Sequence, residues 1–252
     1  MMNVVEYLKR INYTGSIRVD AETLRNLHLA HLRNVPFENL SIHAGEPIVL
    51  NDEALFTKIV SNRRGGFCYE LNGLFSWLLR TLGFDVFMLA AAVANPKGGF
   101  GPEFDHMALM VNLEERWLAD VGFGDSFVEP LLLDDDGIQQ QGTQAFRIIH
   151  RDSHLIVTRR DTDQEWKPQY RFTQQTYNYS DYEEMCLFHQ KSLESHFTKS
   201  RICSRATLDG RITLSGLRLI TTSKQERDER DLTGEDEFGS VLKEQFGIVM
   251  NS

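Results

Sequence analysis

Apolar residues in the first third of the chain recur at the spacing of buried helix faces. Leucine and phenylalanine occupy positions i, i+3, i+4, i+7, i+8 and i+11 over residues 71–82, which predicts a helix that ends at Gly83. Two more helices are predicted over residues 4–11 and about 21–33, and another begins at Asp52, the expected N-cap. The first third is therefore predicted to be helical.

The pattern changes to that of strands after Phe84. Residues 86–94 form a candidate buried strand, although periodicity alone does not distinguish this run from a helix. Shorter alternating runs further on predict a meander or a β-barrel. Those runs are residues 145–149, 155–158 and 169–173.

The last third of the chain mixes strand and helix signals. Asp209-Gly210 separates two β-rich runs and predicts a hairpin with a two-residue turn. Thr233 and Asp236 have the spacing of a capping box, which predicts a last helix that ends at Gly247.

Cys68 is the candidate nucleophile, because it opens the predicted helix directly after Gly65-Gly66. A helix N-terminus presents unpaired N–H groups and the positive end of the helix dipole, and both favour a thiolate. Arg63 and Arg64 add positive charge nearby. The alternative is a small buried cysteine with a structural role.

A nucleophilic cysteine needs a base and a group that orients the base. Two predicted strands joined by the polar turn 112–116 carry His106 and Asp120. If the loop has five residues, Val111 lies opposite Trp117, and the histidine and the acid are diagonal neighbours on one face of the hairpin. A four-residue loop would put them on opposite faces.

Cys68, His106 and Asp120 are therefore the candidate catalytic triad. In this hypothesis His106 accepts the proton of Cys68, and Asp120 orients the imidazole and stabilises its charged form. Glu38 is an acid among apolar neighbours, and we expect it to pair with Arg64 and fix the bend before the cysteine. A solvated loop carboxylate is the alternative for Glu38.

Composition limits the kinds of partner. The chain has 252 residues, a formal net charge of -9 and 41% hydrophobic residues, which is typical of a soluble globular protein and argues against a nucleic-acid partner. The longest notable uncharged run, residues 86–96, is too short to span a membrane, and residues 1–10 lack the apolar core of a signal peptide. Three cysteines, an odd number, indicate a reducing compartment, so we expect a cytoplasmic protein.

No metal is expected. The cysteines lack a Cys-x-x-Cys spacing, and His28 and His31 have no further ligands beside them on their predicted helix. Ordinary helix residues are the favoured interpretation of the two histidines.

Four segments resemble one family in the right order. The run Arg64-Gly65-Gly66-Phe67-Cys68-Tyr69-Glu70 resembles the nucleophile motif of the arylamine N-acetyltransferases, and Pro36-Phe37-Glu38-Asn39-Leu40 resembles their N-terminal motif. His106 and the segment Asp120-Val121-Gly122-Phe123-Gly124 match the remaining triad segments. The resemblance is strongest over about residues 30–125.

The resemblance implies an α+β fold with a cysteine-protease-like core. Its parts would be an N-terminal helical domain at residues 1–84, a central β-barrel at 85–185 and a C-terminal α/β lid at 186–252. The chain is short for the family in its last third, so we expect a short lid.

The resemblance also implies ping-pong transfer from acetyl-CoA, in which Cys68 becomes an acetyl-cysteine thioester and an arylamine or arylhydrazine then takes the acetyl group. Such chemistry belongs to xenobiotic metabolism. Phe37, Val93 and Phe123 are the expected substrate-binding residues.

A loop rich in glycine and proline lies just before His106 and is a candidate contact for a CoA phosphate. Its backbone N–H groups at Gly98, Gly99 and Gly101 would bind the phosphate, and a flexible connector is the alternative. Arg201 and Arg205 are further candidates for CoA phosphates.

Three alternative functions remain open at this stage. One is a related acyltransferase or amide synthase with another acyl donor. The others are a cysteine peptidase and a binding module with an unreactive triad.

Overall fold

The computed structural model describes residues 2–162, 164–223 and 226–250. In these ranges the α-helices are α1 Val4–Arg10, α2 Ala21–Asn34, α3 Leu40–His43, α4 Asp52–Phe56, α5 Cys68–Thr81, α6 Glu183–Lys191 and α7 Glu235–Val241. A π-helical turn continues α4 over Thr57–Ser61 and another continues α7 over Leu242–Phe246, and 3-10 turns lie at Tyr179–Tyr182 and His196–Thr198. The strands are β1 Phe37–Glu38, β2 Asp85–Val93, β3 His106–Asn112, β4 Arg116–Ala119, β5 Leu131–Leu132, β6 Gln139–Gln141, β7 Gln144–Arg151, β8 His154–Asp161, β9 Lys167–Tyr177, β10 Ile202–Ala206, β11 Gly210–Ser215, β12 Arg218–Ser223 and β13 Glu226–Asp231.

The N-terminal helices pack around α5, whose predicted apolar face is buried except at Leu82, which is partly buried. Gly83 follows α5 with a φ of +98°, a conformation that favours glycine. The cap of α4 differs from the prediction, because the side chain of Asn51, and not that of Asp52, accepts the backbone N–H of Ala54 at 2.8 Å. Asp52 lies instead in the first turn, where an acid also stabilises a helix.

Eight antiparallel strands form the central sheet, in the order β5-β4-β3-β2-β9-β8-β7-β6. In the hairpin of β3 and β4, Val111 lies opposite Trp117, which confirms the register predicted from a five-residue loop. The predicted run at 86–94 is β2, and the three later alternating runs are β7, β8 and β9.

Glutamine side chains connect the two edges of this sheet into a nearly closed barrel. The amide of Gln139 on β6 accepts the N–H of Leu132 on β5 at 2.8 Å and donates to its carbonyl at 2.9 Å. The amide of Gln141 accepts the N–H groups of Val128 and Glu129 and donates to the Glu129 carbonyl at 2.7 Å. Side-chain amides thus take the place of a backbone ladder between β5 and β6.

A second, five-stranded sheet has the order β1-β10-β11-β12-β13, so its first strand comes from the helical part of the chain. Asn39, directly after β1, reinforces this connection. Its amide donates to the carbonyls of Phe197 and Ser200 at 2.9 and 2.8 Å and accepts the N–H of Ile202 at 2.8 Å. The fold is therefore α+β, as predicted, while the domain limits at residues 84 and 185 stay a prediction.

Two local predictions in the C-terminal third were wrong. The predicted hairpin of β10 and β11 is present, but the N–H of Thr207 donates to the carbonyl of Gly210 at 2.9 Å, so its two turn residues are Leu208 and Asp209 rather than Asp209 and Gly210. The last helix begins after Gly234, and Thr233 bonds the carboxylate of Glu237 through its N–H and hydroxyl at 2.7 and 2.9 Å, so Asp236 is not the capping partner.

Strand β1 also holds the two glycines that precede Cys68. The N–H of Glu38 donates to the carbonyl of Gly66 at 2.8 Å, and a Cβ added to Gly65 would lie 2.0 Å from the carbonyl oxygen of Pro36. Close backbone approach, rather than a positive φ, therefore requires glycine at position 65.

We expect Gly65→Ala to lower the free energy of unfolding by about 2–3 kcal/mol, because a backbone segment must shift to admit the methyl group. Gly239→Ala is the matched control, because no atom of the described chain lies within 4 Å of the added Cβ in α7. The control should be neutral or slightly stabilising. Urea denaturation measures both, and equal stabilities would contradict the close approach at Gly65.

Candidate active site

Cys68 is the first residue of α5, and Glu70 closes that end of the helix. The carboxylate of Glu70 accepts the N–H of Phe67 at 3.1 Å and the ammonium group of Lys58 at 2.7 Å. Only 2% of the surface of Cys68 is exposed. The nucleophile candidate is therefore held on a capped helix end inside the protein.

The chain before Cys68 is fixed by two buried arginines. Arg64 donates from Nε and Nη2 to the Glu38 carboxylate at 3.0 and 3.3 Å, which confirms the predicted pair. The guanidinium of Arg10 donates to the carbonyls of Arg63 and Arg64 at 3.3 and 3.2 Å. These hydrogen bonds to the Glu38 carboxylate and to two backbone carbonyls thus fix the position of the chain where it enters α5.

His106 and Asp120 form a buried hydrogen-bonded pair. Nε2 of His106 lies 2.7 Å from Oδ2 of Asp120, while Oδ1 of Asp120 accepts the amide of Asn72 and the N–H of Gly122, both at 2.9 Å. Burial acts to raise the pKa of Asp120, but the charge and hydrogen bond of His106 and the two other donors bring the pKa below its usual value. Asp120 is therefore charged in the protein interior.

Asn72 is a site residue that the sequence analysis missed. Its amide also donates to the carbonyl of Met107 at 2.6 Å, and its oxygen accepts the N–H of Val121 at 2.9 Å. Position 72 lies one helical turn after Cys68, on the same face of α5. A buried amide at that spacing is the signal that could have identified it.

The structure brings the three candidate triad residues to one place. The thiol of Cys68 lies within hydrogen-bonding reach of the N–H of Met107, the residue after His106. A Cβ on Gly122, two residues after Asp120, would lie 2.8 Å from the Cα of Cys68. At Cys68, helix α5 therefore lies close to the start of β3 and to the residues that follow β4.

The electrostatic surroundings of Cys68 differ from the expectation. Burial raises the pKa of the Cys68 thiol well above its usual value, the Met107 N–H opposes this, and the carboxylates of Asp120 and Asp105 raise it further. Arg64, expected to add positive charge, is neutralised by Glu38. These surroundings therefore favour the neutral thiol of Cys68.

Aromatic rings line the other side of His106. The ring centroids of Phe123 and Tyr170 both lie 5.1 Å from that of the imidazole. Tyr170 was not predicted from the sequence. Val93 pairs with Tyr170 across β2 and β9, and Phe37 lies against Gly124. Phe123 thus contacts the histidine itself, while Val93 and Phe37 border its neighbours.

The candidate CoA-phosphate groups have internal partners in this structure. The N–H of Gly98 donates to the Asn95 carbonyl at 2.9 Å, and that of Gly101 to the Val93 carbonyl at 2.8 Å. Gly99 has a φ of +76°. The loop is therefore a defined turn between β2 and β3.

The two candidate arginines are also engaged. Arg201 forms a two-bond pair with the carboxylate of Glu235 at 2.8 and 2.7 Å. Arg205 donates to the carbonyls of Arg33 and Gln245 at 2.6 and 2.8 Å.

The two histidines of α2 are fully buried. Nε2 of His28 accepts the backbone N–H of Asp120 at 3.0 Å, and its Nδ1 donates to the carbonyl of Val128 at 2.9 Å. Nδ1 of His31 lies 2.9 Å from the hydroxyl of Tyr7. Burial lowers the pKa of His28 to about 4 and that of His31 well below its usual value.

Over the part of the chain that the structure describes, no cluster of three or more His, Cys, Asp or Glu side chains could hold a metal ion. The same residues include no helix that is long and apolar enough to cross a membrane.

Comparison with known proteins adds an independent result. A family model described as N-acetyltransferase matches residues 20–252. The arylamine N-acetyltransferase pineal gland isozyme NAT-10 of Gallus gallus is 34% identical over 275 residues, covering 99% of this chain and 95% of the relative. The proansamycin X synthase of Amycolatopsis mediterranei is 32% identical over 258 residues, covering 96% of each.

A solved structure from the same family has the same fold as this chain. The arylamine N-acetyltransferase of Mycobacterium marinum in complex with CoA is 32% identical and superposes with a TM-score of 0.90, over 98% of this chain and 93% of that one.

The buried histidines should make the protein sensitive to mild acid. Because the unfolded chain takes up protons below a histidine pKa of about 6.5, whereas folded His31 does so only at much lower pH, the free energy of unfolding falls as the pH drops. We expect His31→Gln to remove about 2 kcal/mol of the difference in unfolding free energy between pH 7 and pH 5.

Chemical denaturation at the two pH values measures this effect. His154→Gln is the control, because this histidine is partly exposed at the start of β8. An unchanged pH dependence in His31→Gln would contradict a neutral buried imidazole.

Proposed function

Because the chain belongs to the arylamine N-acetyltransferase family, we propose that it transfers an acetyl group from acetyl-CoA to an arylamine or arylhydrazine. The reaction proceeds through an acetyl thioester on Cys68, with His106 and Asp120 as the other members of the triad. The observation that carries the proposal is the buried His106–Asp120 hydrogen bond next to the backbone amide that reaches the Cys68 thiol.

The first half-reaction uses the imidazole as a base. Because the Nε2–H of His106 donates to the carboxylate of Asp120, its Nδ1 carries the free electron pair. Nδ1 accepts the proton of Cys68, and the sulfur attacks the carbonyl carbon of the acetyl thioester. The carbon–sulfur bond to CoA then breaks, and the leaving CoA sulfur takes the proton from the imidazolium. Asp120 stabilises the charged imidazole throughout.

The second half-reaction reverses these roles. The nitrogen of the amine attacks the carbonyl carbon of acetyl-Cys68, and His106 accepts the proton that the nitrogen loses. The carbon–sulfur bond to Cys68 breaks, the cysteine sulfur takes the proton back, and the acetylated amine leaves. One difficult transfer thus becomes two easier ones.

The amine substrate binds, in this proposal, against Phe123 with Phe37 and Val93 nearby. The ring of Phe123 next to His106 gives an aromatic amine an edge or face to pack on. An apolar wall beside the histidine therefore favours arylamines over charged aliphatic amines.

Acetyl-CoA is the proposed acetyl donor, because the structure of the M. marinum relative is a complex with CoA. The loop with Gly98, Gly99 and Gly101 remains the proposed phosphate contact, but the amides of Gly98 and Gly101 would first have to leave their internal carbonyl partners. The reaction needs no metal, and free thiols at Cys68, Cys186 and Cys203 fit a cytoplasmic enzyme of xenobiotic metabolism.

A second candidate is an acyltransferase or amide synthase that uses another acyl donor. The 32% identity with a protein named proansamycin X synthase favours it, because that name does not describe an arylamine N-acetyltransferase. A cysteine peptidase has less support, since a nucleophile that is 2% exposed offers no open groove for an extended polypeptide.

Intact mass spectrometry with acetyl-CoA and no amine tests the proposal directly. We expect one added acetyl group, mapped to Cys68, that disappears when an arylamine is supplied. Cys68→Ala should gain none, although Cys186 and Cys203 remain. An adduct formed only with a longer acyl-CoA would favour the second candidate, and neither an adduct nor released CoA would show that the acetyl-CoA assignment is wrong.

The role of His106 predicts a pH signature in Cys68. In the wild type, iodoacetamide should modify Cys68 well below pH 8.5, the approximate pKa of an ordinary thiol, because the proton moves to the imidazole. His106→Ala should require a pH above that value, since burial raises the pKa of the remaining thiol. Peptide mapping after alkylation across pH measures both proteins, and identical profiles would exclude His106 as the base.

A further inference from the structure

We propose that His28 is a positioning residue for this reaction, which holds the backbone of Asp120 so that its carboxylate meets His106. The inference rests on the proposed function for its catalytic consequence. The ring of His28 on α2 forms hydrogen bonds to both ends of the segment after β4, residues 120–128, and so joins this segment to the helix.

The hydrogen bonds of His28 fix one form of its imidazole. Its Nε2 must be unprotonated, because the backbone N–H of Asp120 donates to it at 3.0 Å. Its Nδ1 must carry the proton, because the carbonyl of Val128 accepts from it at 2.9 Å. A single neutral tautomer therefore bridges residues 120 and 128.

The bridged segment is part of the site. It contains Gly122, whose N–H donates to the Asp120 carboxylate and where an added Cβ would lie 2.8 Å from the Cα of Cys68. It also contains Phe123, which contacts His106. One ring thus holds both ends of the segment, and it positions them together with the amides of Asn72 and Gln141.

The ring itself has little freedom to move. It is fully buried, it stacks on Phe127 with 5.9 Å between ring centroids, and it meets the edge of Phe75 at 6.1 Å. Phe75 lies two turns after Cys68 on α5. The imidazole is therefore fixed relative to the nucleophile helix as well as to Asp120.

Loss of the imidazole would leave the N–H of Asp120 as a buried donor without a partner. The carboxylate would still be held by Asn72 and Gly122, so the expected defect is a misplaced acid rather than a missing one. Proton transfer from Cys68 to His106 depends on that acid and should become less favourable.

His31 provides the matched control. It lies one turn further along α2, is equally buried, and also meets Phe75, at 5.4 Å between centroids. Its hydrogen bond goes to the hydroxyl of Tyr7 and not to the segment after β4. Removing it costs a buried imidazole without touching Asp120.

The experiment compares His28→Leu, His28→Gln and His31→Leu for Tm, for the pH midpoint of Cys68 alkylation and for kcat/KM. We expect His28→Leu to raise the alkylation midpoint by about one pH unit and to lower kcat/KM about 10- to 100-fold. His28→Gln can both accept and donate and should recover most of the loss. His31→Leu should lower Tm without moving the midpoint.

An alkylation midpoint that His28→Leu leaves unchanged, or that His31→Leu moves equally, would overturn the proposal. If His28→Leu does not fold, His28→Asn replaces it. The asparagine amide is shorter than the imidazole and reaches only one of the two partners, so it should move the alkylation midpoint in the same direction. An unchanged midpoint in His28→Asn would overturn the proposal. The alkylation assay needs no acetyl-CoA, so it tests this inference independently of the proposed function. If the protein transfers no acetyl group but its alkylation midpoint still depends on His28, the proposed function fails and this inference stands.

Discussion

A charged carboxylate in the protein interior is the constraint on which the rest of the structure depends. Asp120 is 2% exposed, and a buried charge is tolerated only with close compensation. The compensating donors come from β3, from α5 and from the residues after β4, and α2 fixes the backbone. The contacts that make this charge stable therefore also assemble the site, so stability and geometry cannot be separated here.

The predictions that succeeded rest on rules with few alternatives. Strand alternation and a polar turn allowed the register of Val111 and Trp117 to be counted, and a buried acid such as Glu38 must find a partner. Asn72 could have been identified from its spacing of one helical turn from Cys68. The role of His28 could not be predicted, because a buried polar residue on a helix has the same sequence pattern whether it packs in a core or holds a site. His28 meets its partner 92 residues away, a distance that no local pattern spans.

Two of the wrong predictions share a cause, which is that distant packing overrides a local preference, whereas the two wrong helix caps were each replaced by a neighbouring residue. A helix N-terminus favours a thiolate, yet the segment after β4 covers Cys68, and burial raises its pKa instead. Asp209-Gly210 favours a two-residue turn, but Gly210 lies where an added Cβ would be 2.1 Å from the carbonyl oxygen of Thr222. Pairing with β12 therefore draws this glycine into a strand.

The closure of the barrel by Gln139 and Gln141 has a consequence for how the fold can vary. A backbone ladder is nearly independent of sequence, but a seam made of side-chain amides exists only while those two residues are present. Substitution at these two positions would therefore separate β5 from β6 while leaving the backbone strand pairs of the sheet in place. The distance between β5 and β6, and with it the enclosure of the apolar barrel core that contains Tyr170, therefore depends on two glutamine side chains.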